Sequence, residues 1–378
     1  MRTAVVVTTI NPPQVVKAYA DSARQFGRKE IVFVVIGDRK TPHEEARRIV
    51  REANGDGFEA EYWDVEQQEA WLARFPALAP MIPWNSDNRR NVGFLIALEK
   101  GAATIISTDD DNFPIAVSDF FAEHAIVGRT VEMQTVGSSN GWFNPCSLLH
   151  FEPPVRVYSR GYPFGKRWQD KPVPGTGSGR VVVNLGLWVG EPDVDAITRL
   201  ACPVTSVGLA PERLMLAPDC LMPINTQNTA VHRDAMAAFY FVLQGIEING
   251  MPMDRYGDIW AGFFLNKIAA HLGDRLTVGP PLVQHSRNDH DLLRDLENEF
   301  WGMLLTEHLV PLIEGARLTA GNYCDAYREL AEILRTSSPH PHPAVRDYME
   351  RLCMAMAAWA DACEKLDAGR PSQVASPA

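Results

Sequence analysis

Residues 105–114 read Ile-Ile-Ser-Thr-Asp-Asp-Asp-Asn-Phe-Pro, so an apolar strand delivers Asp109, Asp110 and Asp111 onto a turn. Three adjacent carboxylates repel one another, and a folded chain that keeps them at a strand end is expected to hold a cation there. Hard divalent ions such as Mg²⁺ or Mn²⁺ take oxygen ligands and share them with substrate phosphates, the arrangement of nucleotide-sugar enzymes with a strand-end Asp-x-Asp. An isolated acidic run is more often a solvated loop. The surrounding elements therefore decide between the two readings.

Those elements alternate. Ala4 to Thr8 reads as a buried strand, Asn11-Pro12-Pro13 breaks it, and Gln14 to Phe26 carries Val15, Val16, Ala18 and Ala20 in a helical stretch. A strand at Glu30 to Ile36, a helix at Glu44 to Ala53, a strand at Phe58 to Trp63 and a helix at Glu66 to Phe75 follow. This is the pattern of a doubly wound sheet. Arg89 to Lys100 predicts a helix with Val92, Leu95, Ile96 and Ala97 inward, closed by Gly101 before a strand at Thr104 to Ser107. The triplet thus falls at the carboxyl end of a strand, where open α/β sheets bind ligands. Downstream, Pro and Gly punctuate 144–180, Arg180 to Val189 predicts another strand, and helices are expected over Asp234–Gly245, Ile259–Leu272 and 291–367. Gly175 to Gly179 precedes a strand and lacks the Lys-Ser/Thr of a phosphate loop, so it is expected to be a flexible loop near the site. His340-Pro341-His342-Pro343 reads as a Pro-broken interhelical loop.

The 378 residues, 46% hydrophobic and 22% charged, suit a large α/β core with an appended element. A net charge of −11 supplies no basic stripe for a nucleic acid, so an anionic substrate must be held by a few placed cations or a metal. No stretch approaches the roughly 20 apolar residues of a membrane span. The opening Met-Arg-Thr-Ala-Val-Val-Val is too short and too β-like for a signal peptide, so a cytoplasmic location is expected. Six cysteines without a Cys-x-x-Cys pair are expected to be reduced and mostly structural.

Several ordered motifs carry a resemblance. Arg89-Arg90-Asn91-Val92-Gly93-Phe94 ahead of the triplet, Arg160-Gly161-Tyr162-Pro163-Phe164, Gly186-Leu187-Trp188, Arg255-Tyr256-Gly257-Asp258-Ile259-Trp260-Ala261-Gly262 and His285-Ser286 resemble segments of the reversibly glycosylated polypeptides, the UDP-arabinopyranose mutases of glycosyltransferase family 75. The amino-terminal third is similar to STELLO-like glycosyltransferases as well. Both likenesses imply an α/β GT-A-type, Rossmann-like fold with a mixed central sheet. The expected organisation is a catalytic domain at 1–290, a helical packing and assembly region at 291–367 and a disordered tail at 368–378. Departures lie near the presumed sugar site: Gly257-Asp258 replaces a paired Asp-Asp, Asn184-Leu185 a Ser-His, and Asn112 follows the triplet in place of Cys.

The resemblance implies a nucleotide sugar that reacts by loss of its diphosphate. Asp109 and Asp111, with His285 as third protein ligand, would hold Mn²⁺ or Mg²⁺ against that leaving group. Asp109, Asp110, Arg89 and Arg90 are the candidates for nucleotide binding, although two helix arginines also read as surface charges. Arg160 corresponds to the arginine that becomes glycosylated in the family, yet a guanidinium is a poor nucleophile and equally suits charge-assisted binding of diphosphate. Asp258 is a base, a contact to sugar hydroxyls or an N-cap. Trp188 is an apolar sugar contact or core, and Asn228 a hydroxyl contact or a turn residue. Function then divides among a UDP-sugar pyranose/furanose mutase, a transferase using a separate acceptor, and a noncatalytic partner subunit; a homo-oligomer is expected, as in the resembling family.

Overall fold

In the computed structural model, residues 2–55, 58–209, 212–286, 291–337 and 340–368 are described. The first half alternates as the sequence predicts: β1 (Thr3–Thr9), α1 (Val15–Gln25), β2 (Ile31–Gly37), α2 (His43–Gly55), β3 (Glu59–Trp63) and α3 (Val65–Leu72), then α4 (Arg90–Glu99) and β4 (Thr104–Asp109). These strands pair in parallel in the order β3-β2-β1-β4. All seven residues of β2 are buried, which is why it reads as an unbroken apolar run. Gly101 takes φ 79° just past α4, where a side chain would be strained, and the chain turns there into β4.

The second half adds β5 (Asn112–Pro114), α5 (Phe120–His124), β6 (Thr130–Ser138), β7 (Leu149–Glu152), β8 (Pro172–Gly190), α6 (Ala196–Ala201), β9 (Thr205–Leu209), β10 (Leu214–Leu216), β11 (Asn228–His232), β12 (Ile246–Ile248), β13 (Met251–Met253), α7 (Gly257–His271) and β14 (Arg275–His285). β11 joins β4 antiparallel and continues to β8, which runs parallel to β14, so the sheet is mixed. β14 also pairs antiparallel with β5 and sets His285 opposite Asn112. That register carries a residue far along the chain to the edge of the acidic turn.

Two expectations are corrected. Gly175 to Gly179 is not a loop but the outer half of β8, laddered to Val131–Thr135 of β6, and it does not line the cleft described below. The helix expected over Asp234–Gly245 is a short 3-10 turn at Arg233–Ala238 followed by chain without regular secondary structure. Residues 239–243 are buried on every side, so they lack the polar face of an amphipathic helix. Their backbone is satisfied instead by side chains: Asn88 Nδ2 donates to the carbonyls of Phe241 and Val242, and Asn91 both accepts from Phe241 N and donates to its carbonyl.

The carboxy-terminal run resolves into α8 (Leu292–Gly315), α9 (Tyr323–Thr336) and α10 (Pro343–Ala368). Residue 368 thus closes a helix, and the rest of the tail expected to be disordered lies outside the described residues. α10 packs on α9 and on α4, and α8 packs on α6 and β13. Their buried side chains belong to the same hydrophobic cluster as the sheet. Among the described residues no helix is long and apolar enough to cross a membrane.

Candidate active site

The carboxyl ends of β1, β2 and β4 open into a cleft of about 680 Å³. Its other walls are the Asp254–Asp258 segment and the first turns of α8. Ligand sites in doubly wound sheets lie at such strand ends. Asp109, Asp110, Asp111, Arg89, Arg90, Arg160, Asp258 and His285 all line it.

The three carboxylates of the triplet diverge. Asp109 turns into the buried Arg90 guanidinium, with which it forms a close ion pair. Asp110 accepts from Thr9 Oγ1 at 2.6 Å and Asn11 Nδ2 at 3.2 Å, fastening the β4 turn to the end of β1. Asp111 Oδ2 lies 3.5 Å from His285 Nε2, while His285 Nδ1 faces the Glu191 carbonyl at 2.7 Å. Burial raises the pKa of Asp109, against the opposing pull of Arg90, and the neighbouring Asp111 and Asp258 raise it further. Burial also raises Asp110, outweighing its hydrogen bonds to Thr9 and Asn11. For His285 burial favours the neutral ring, but the hydrogen bond and charge of Asp111 outweigh it and lift the pKa above 6.5. Among the described residues no three His, Cys, Asp or Glu side chains stand close enough to enclose an ion as they are placed. The donor chemistry nevertheless suits a divalent cation: Asp111 faces a histidine whose Nδ1 is held by a carbonyl, leaving Nε2 toward the carboxylate.

Arg90 spends its donors on the strand ends as well as on Asp109. Nη1 reaches Ser107 Oγ at 2.7 Å and the Thr108 and Thr226 carbonyls at 3.1 Å, and Nη2 reaches Thr8 Oγ1 at 2.8 Å. Arg89 is likewise buried, with Nε and Nη2 on Gln68 Oε1, Nη1 on the Ile82 carbonyl, and its plane 3.6 Å from the Trp84 ring centroid. Burial lowers its pKa to about 10, so it remains a cation at neutral pH. Neither arginine offers a free fork to phosphate.

Arg160 is gripped from two sides. Asp193 takes Nε at 2.7 Å and Nη2 at 3.3 Å, Asp258 takes Nη1 at 3.2 Å and Nη2 at 3.1 Å, and Nη1 also donates to the Arg255 carbonyl. All five N–H groups are thereby engaged. Burial alone would depress its pKa, but the two carboxylates hold it well above the usual arginine value, and in return Arg160 keeps Asp193 low against the burial that would raise it. Asp258 is equally engaged, since it also accepts from Ile259 N at 2.9 Å and Thr226 N at 3.3 Å. It lies one residue inside α7 and does not cap it. Thr226 thus links the two ion pairs, its carbonyl on Arg90 and its amide on Asp258.

Two sequence candidates fall outside the cleft. Trp188 is 1% exposed in the core, away from the cleft lining. Asn228 is fully buried on β11, bonding the Leu187 and Pro281 carbonyls through Nδ2 and His124 Nε2 through Oδ1, so it ties strands together. Sequence reasoning missed Asp193, which clamps Arg160, and Asp87, which is open to the cleft. Asp193 carried a legible signal, because it follows the apolar end of β8 by three residues, much as the triplet follows β4.

A family model described as reversibly glycosylated polypeptide matches residues 3–368. UDP-arabinopyranose mutase 3 of Arabidopsis thaliana is 30% identical over 306 residues, 79% of this chain and 77% of that one. UDP-arabinopyranose mutase 2 of the same plant is 30% identical over 293 residues, 76% and 75% of the two chains. The match to UDP-arabinopyranose mutase 1, at 31% identity, spans 56% of this chain and 55% of that protein. A mannosyltransferase from Pyrobaculum calidifontis in complex with GDP-Man and Mn²⁺ superposes at a TM-score of 0.36 with 12% identity, over 97% of this chain and 87% of that one, a likeness too slight to carry weight. With the family match covering nearly its whole length, the chain belongs to the reversibly glycosylated polypeptide family.

Proposed function

We propose that this protein is a divalent-cation-dependent UDP-sugar mutase that interconverts pyranose and furanose forms. The supporting observation is one cleft that joins the Asp109/Asp111/His285 donor set to the clamped Arg160–Asp258 pair, in a chain whose relatives are UDP-arabinopyranose mutases. The diphosphate leaves with the bonding electron pair, another sugar hydroxyl bonds the anomeric carbon as it gives up its proton, the bond from that carbon to the old ring oxygen breaks as that oxygen takes a proton, and the diphosphate recombines at the anomeric carbon. Asp109, Asp111 and His285 would hold Mn²⁺ or Mg²⁺, which supplies Lewis-acid stabilisation to the departing diphosphate. Asp110 fixes the turn that presents them. If Arg160 takes the sugar as the family likeness implies, Nη2 bonds the anomeric carbon and its proton has an acceptor at 3.1 Å in Asp258 Oδ2.

In this reading residues 1–290 carry the reaction, and 291–367 serve packing and assembly while the first turns of α8 close one wall of the cleft. A homo-oligomer is proposed through the exposed Leu293, Phe300 and Leu304 of α8. All six cysteines are free, in keeping with a reducing cytoplasm. The deciding experiment incubates the protein with UDP-arabinopyranose and Mn²⁺ and separates the products by chromatography. Ring-contracted UDP-sugar is expected, and EDTA should suppress it. Release of UDP only when an acceptor sugar is added would overturn the mutase reading in favour of a transferase, and unchanged UDP-sugar across pentose and hexose donors would overturn both.

A further inference from the structure

Ten aspartates and six arginines line the cleft, so an incoming diphosphate meets a surplus of like charge. A metal offsets part of it, and a cation whose donors are not already committed must offset more. Five of the six arginines are engaged. Arg89 is held by Gln68, Arg90 by Asp109, Arg160 by Asp193 and Asp258, Arg255 by Glu299 at 2.9 Å, and Arg199 by Glu191 at 2.7 Å. The sixth, Arg294 in the first turn of α8, is exposed to the cleft, and among the described residues its guanidinium has no hydrogen-bond or ion-pair partner.

A second observation lies on the neighbouring helix. The Arg199 side chain on α6 is nine-tenths buried, yet among the described residues its Nε has no partner. α6 is bound to α8 through Ala196 N, which donates to Glu299 Oε2 at 2.8 Å. Arg199 also adjoins the metal-donor side of the cleft, because its ion partner Glu191 offers its carbonyl to His285. The amides at the start of α8 are not the anion site themselves, since Asp291 Oδ1 already accepts from Leu293 N at 3.0 Å and Arg294 N at 3.2 Å.

We infer that Arg294, backed by Arg199, forms the diphosphate-anchoring subsite of the cleft. Arg294 contributes a free bidentate fork to the phosphate oxygens, and the α6–α8 contact positions it. The subsite deepens the nucleotide-sugar reading and rests on it for the identity of the ligand, but its chemistry requires only a diphosphate.

The test is calorimetric titration, with Mn²⁺ present, of UDP, uridine and inorganic diphosphate into the wild-type chain, Arg294→Ala and Arg294→Lys. Because Arg294 is exposed and its side chain makes no bond among the described residues, the variants should fold as the wild type does. Arg294→Ala is expected to weaken UDP and inorganic diphosphate by about 10- to 100-fold, the scale of a charge-assisted hydrogen bond, and to leave uridine within about twofold. Lys should restore part of the loss, because it keeps the charge without the fork. Equal affinity of wild type and Arg294→Ala for both phosphate ligands would overturn the subsite, as would a wild-type chain that fails to bind inorganic diphosphate. Arg294-dependent binding of inorganic diphosphate without any binding of UDP would support the subsite and sink the nucleotide reading instead.

Discussion

Three adjacent aspartates do three different jobs: Asp109 neutralises a buried guanidinium, Asp110 fastens one strand end to another, and Asp111 faces His285. Their spacing raised the expectation of a cation site, but the partners that separate their roles come from β1, α4 and β14 and could not be read from the triplet. Asp87 stands apart from them. It opens to the cleft, yet desolvation by the enclosing cleft walls raises its carboxyl from 3.8 to about 7, with Arg90 opposing and Asp109 and Asp254 adding to the rise. Such a group binds a proton in the folded chain at pH values where the unfolded chain has lost it. The folded state is therefore favoured as pH falls, and stability declines between about pH 4 and pH 7. Asp109 and Asp110 are shifted in the same direction, and His285, also raised, loses its stabilising pairing with Asp111 as pH rises through its folded pKa. Asp193, held low by Arg160, has the opposite sign, and its contribution is lost only in acid below the ordinary aspartate range. Denaturant unfolding in EDTA should thus show greater stability at pH 5.5 than at pH 7.5, and Asp87→Asn should flatten that slope. A stability that rises across the same interval would contradict these shifts.

At the scale of elements, the parallel half of the sheet was legible because buried strands and amphipathic helices leave clear periodicities, and α1 to α4 fall where those periodicities place them. β8 was only half legible. Its inner residues from 181 onward are an apolar run, whereas its outer half is glycine-rich and acquires strand structure from the ladder with β6, a long-range pairing no local signal reports. Asn228 shows the same limit at the site. An asparagine beside a turn reads as a hydroxyl contact or a turn residue, and only burial reveals that it stitches β11 to β8 and β14. Burial lowers the His124 pKa to about 3, so the ring is neutral and can donate through Nε2 to Asn228 while accepting from Asn184 through Nδ1. Gly186 belongs to this junction. A Cβ there would stand 2.3 Å from Asn228 Nδ2, and three hydrogen bonds prevent that side chain from yielding. Gly186→Ala should cost about 2–4 kcal/mol, from overpacking together with a broken buried hydrogen bond. A midpoint in urea within experimental error of the wild type would show that the junction can relax and that Asn228 is not pinned.

At the scale of the whole molecule, the carboxy-terminal helices are joined to the sheet by more than proximity. Trp359 Nε1 donates to the Met236 carbonyl at 2.9 Å and Tyr348 Oη to the Leu243 carbonyl at 2.8 Å, so α10 satisfies the backbone just ahead of the buried segment at 239–243 and at its last residue. That segment in turn receives Asn88 and Asn91, the neighbours of Arg89 and Arg90, and α10 also packs directly on α4. The candidate cleft is thereby connected to the last helix through α4. Truncation after Gly315 would remove α9 and α10 and uncover this face. Tyr327, Leu330, Tyr348, Leu352, Met356 and Trp359 are each 2% exposed or less. At about 1.5–3 kcal/mol for each large apolar side chain, their loss forfeits on the order of 10 kcal/mol, comparable to the entire stability of an ordinary domain. The truncated chain should therefore aggregate or unfold on expression, with size-exclusion chromatography and circular dichroism as the readouts. A soluble, monomeric truncation that still binds UDP as the full chain does would show that the sheet holds the cleft unaided and that α9 and α10 are a dispensable module.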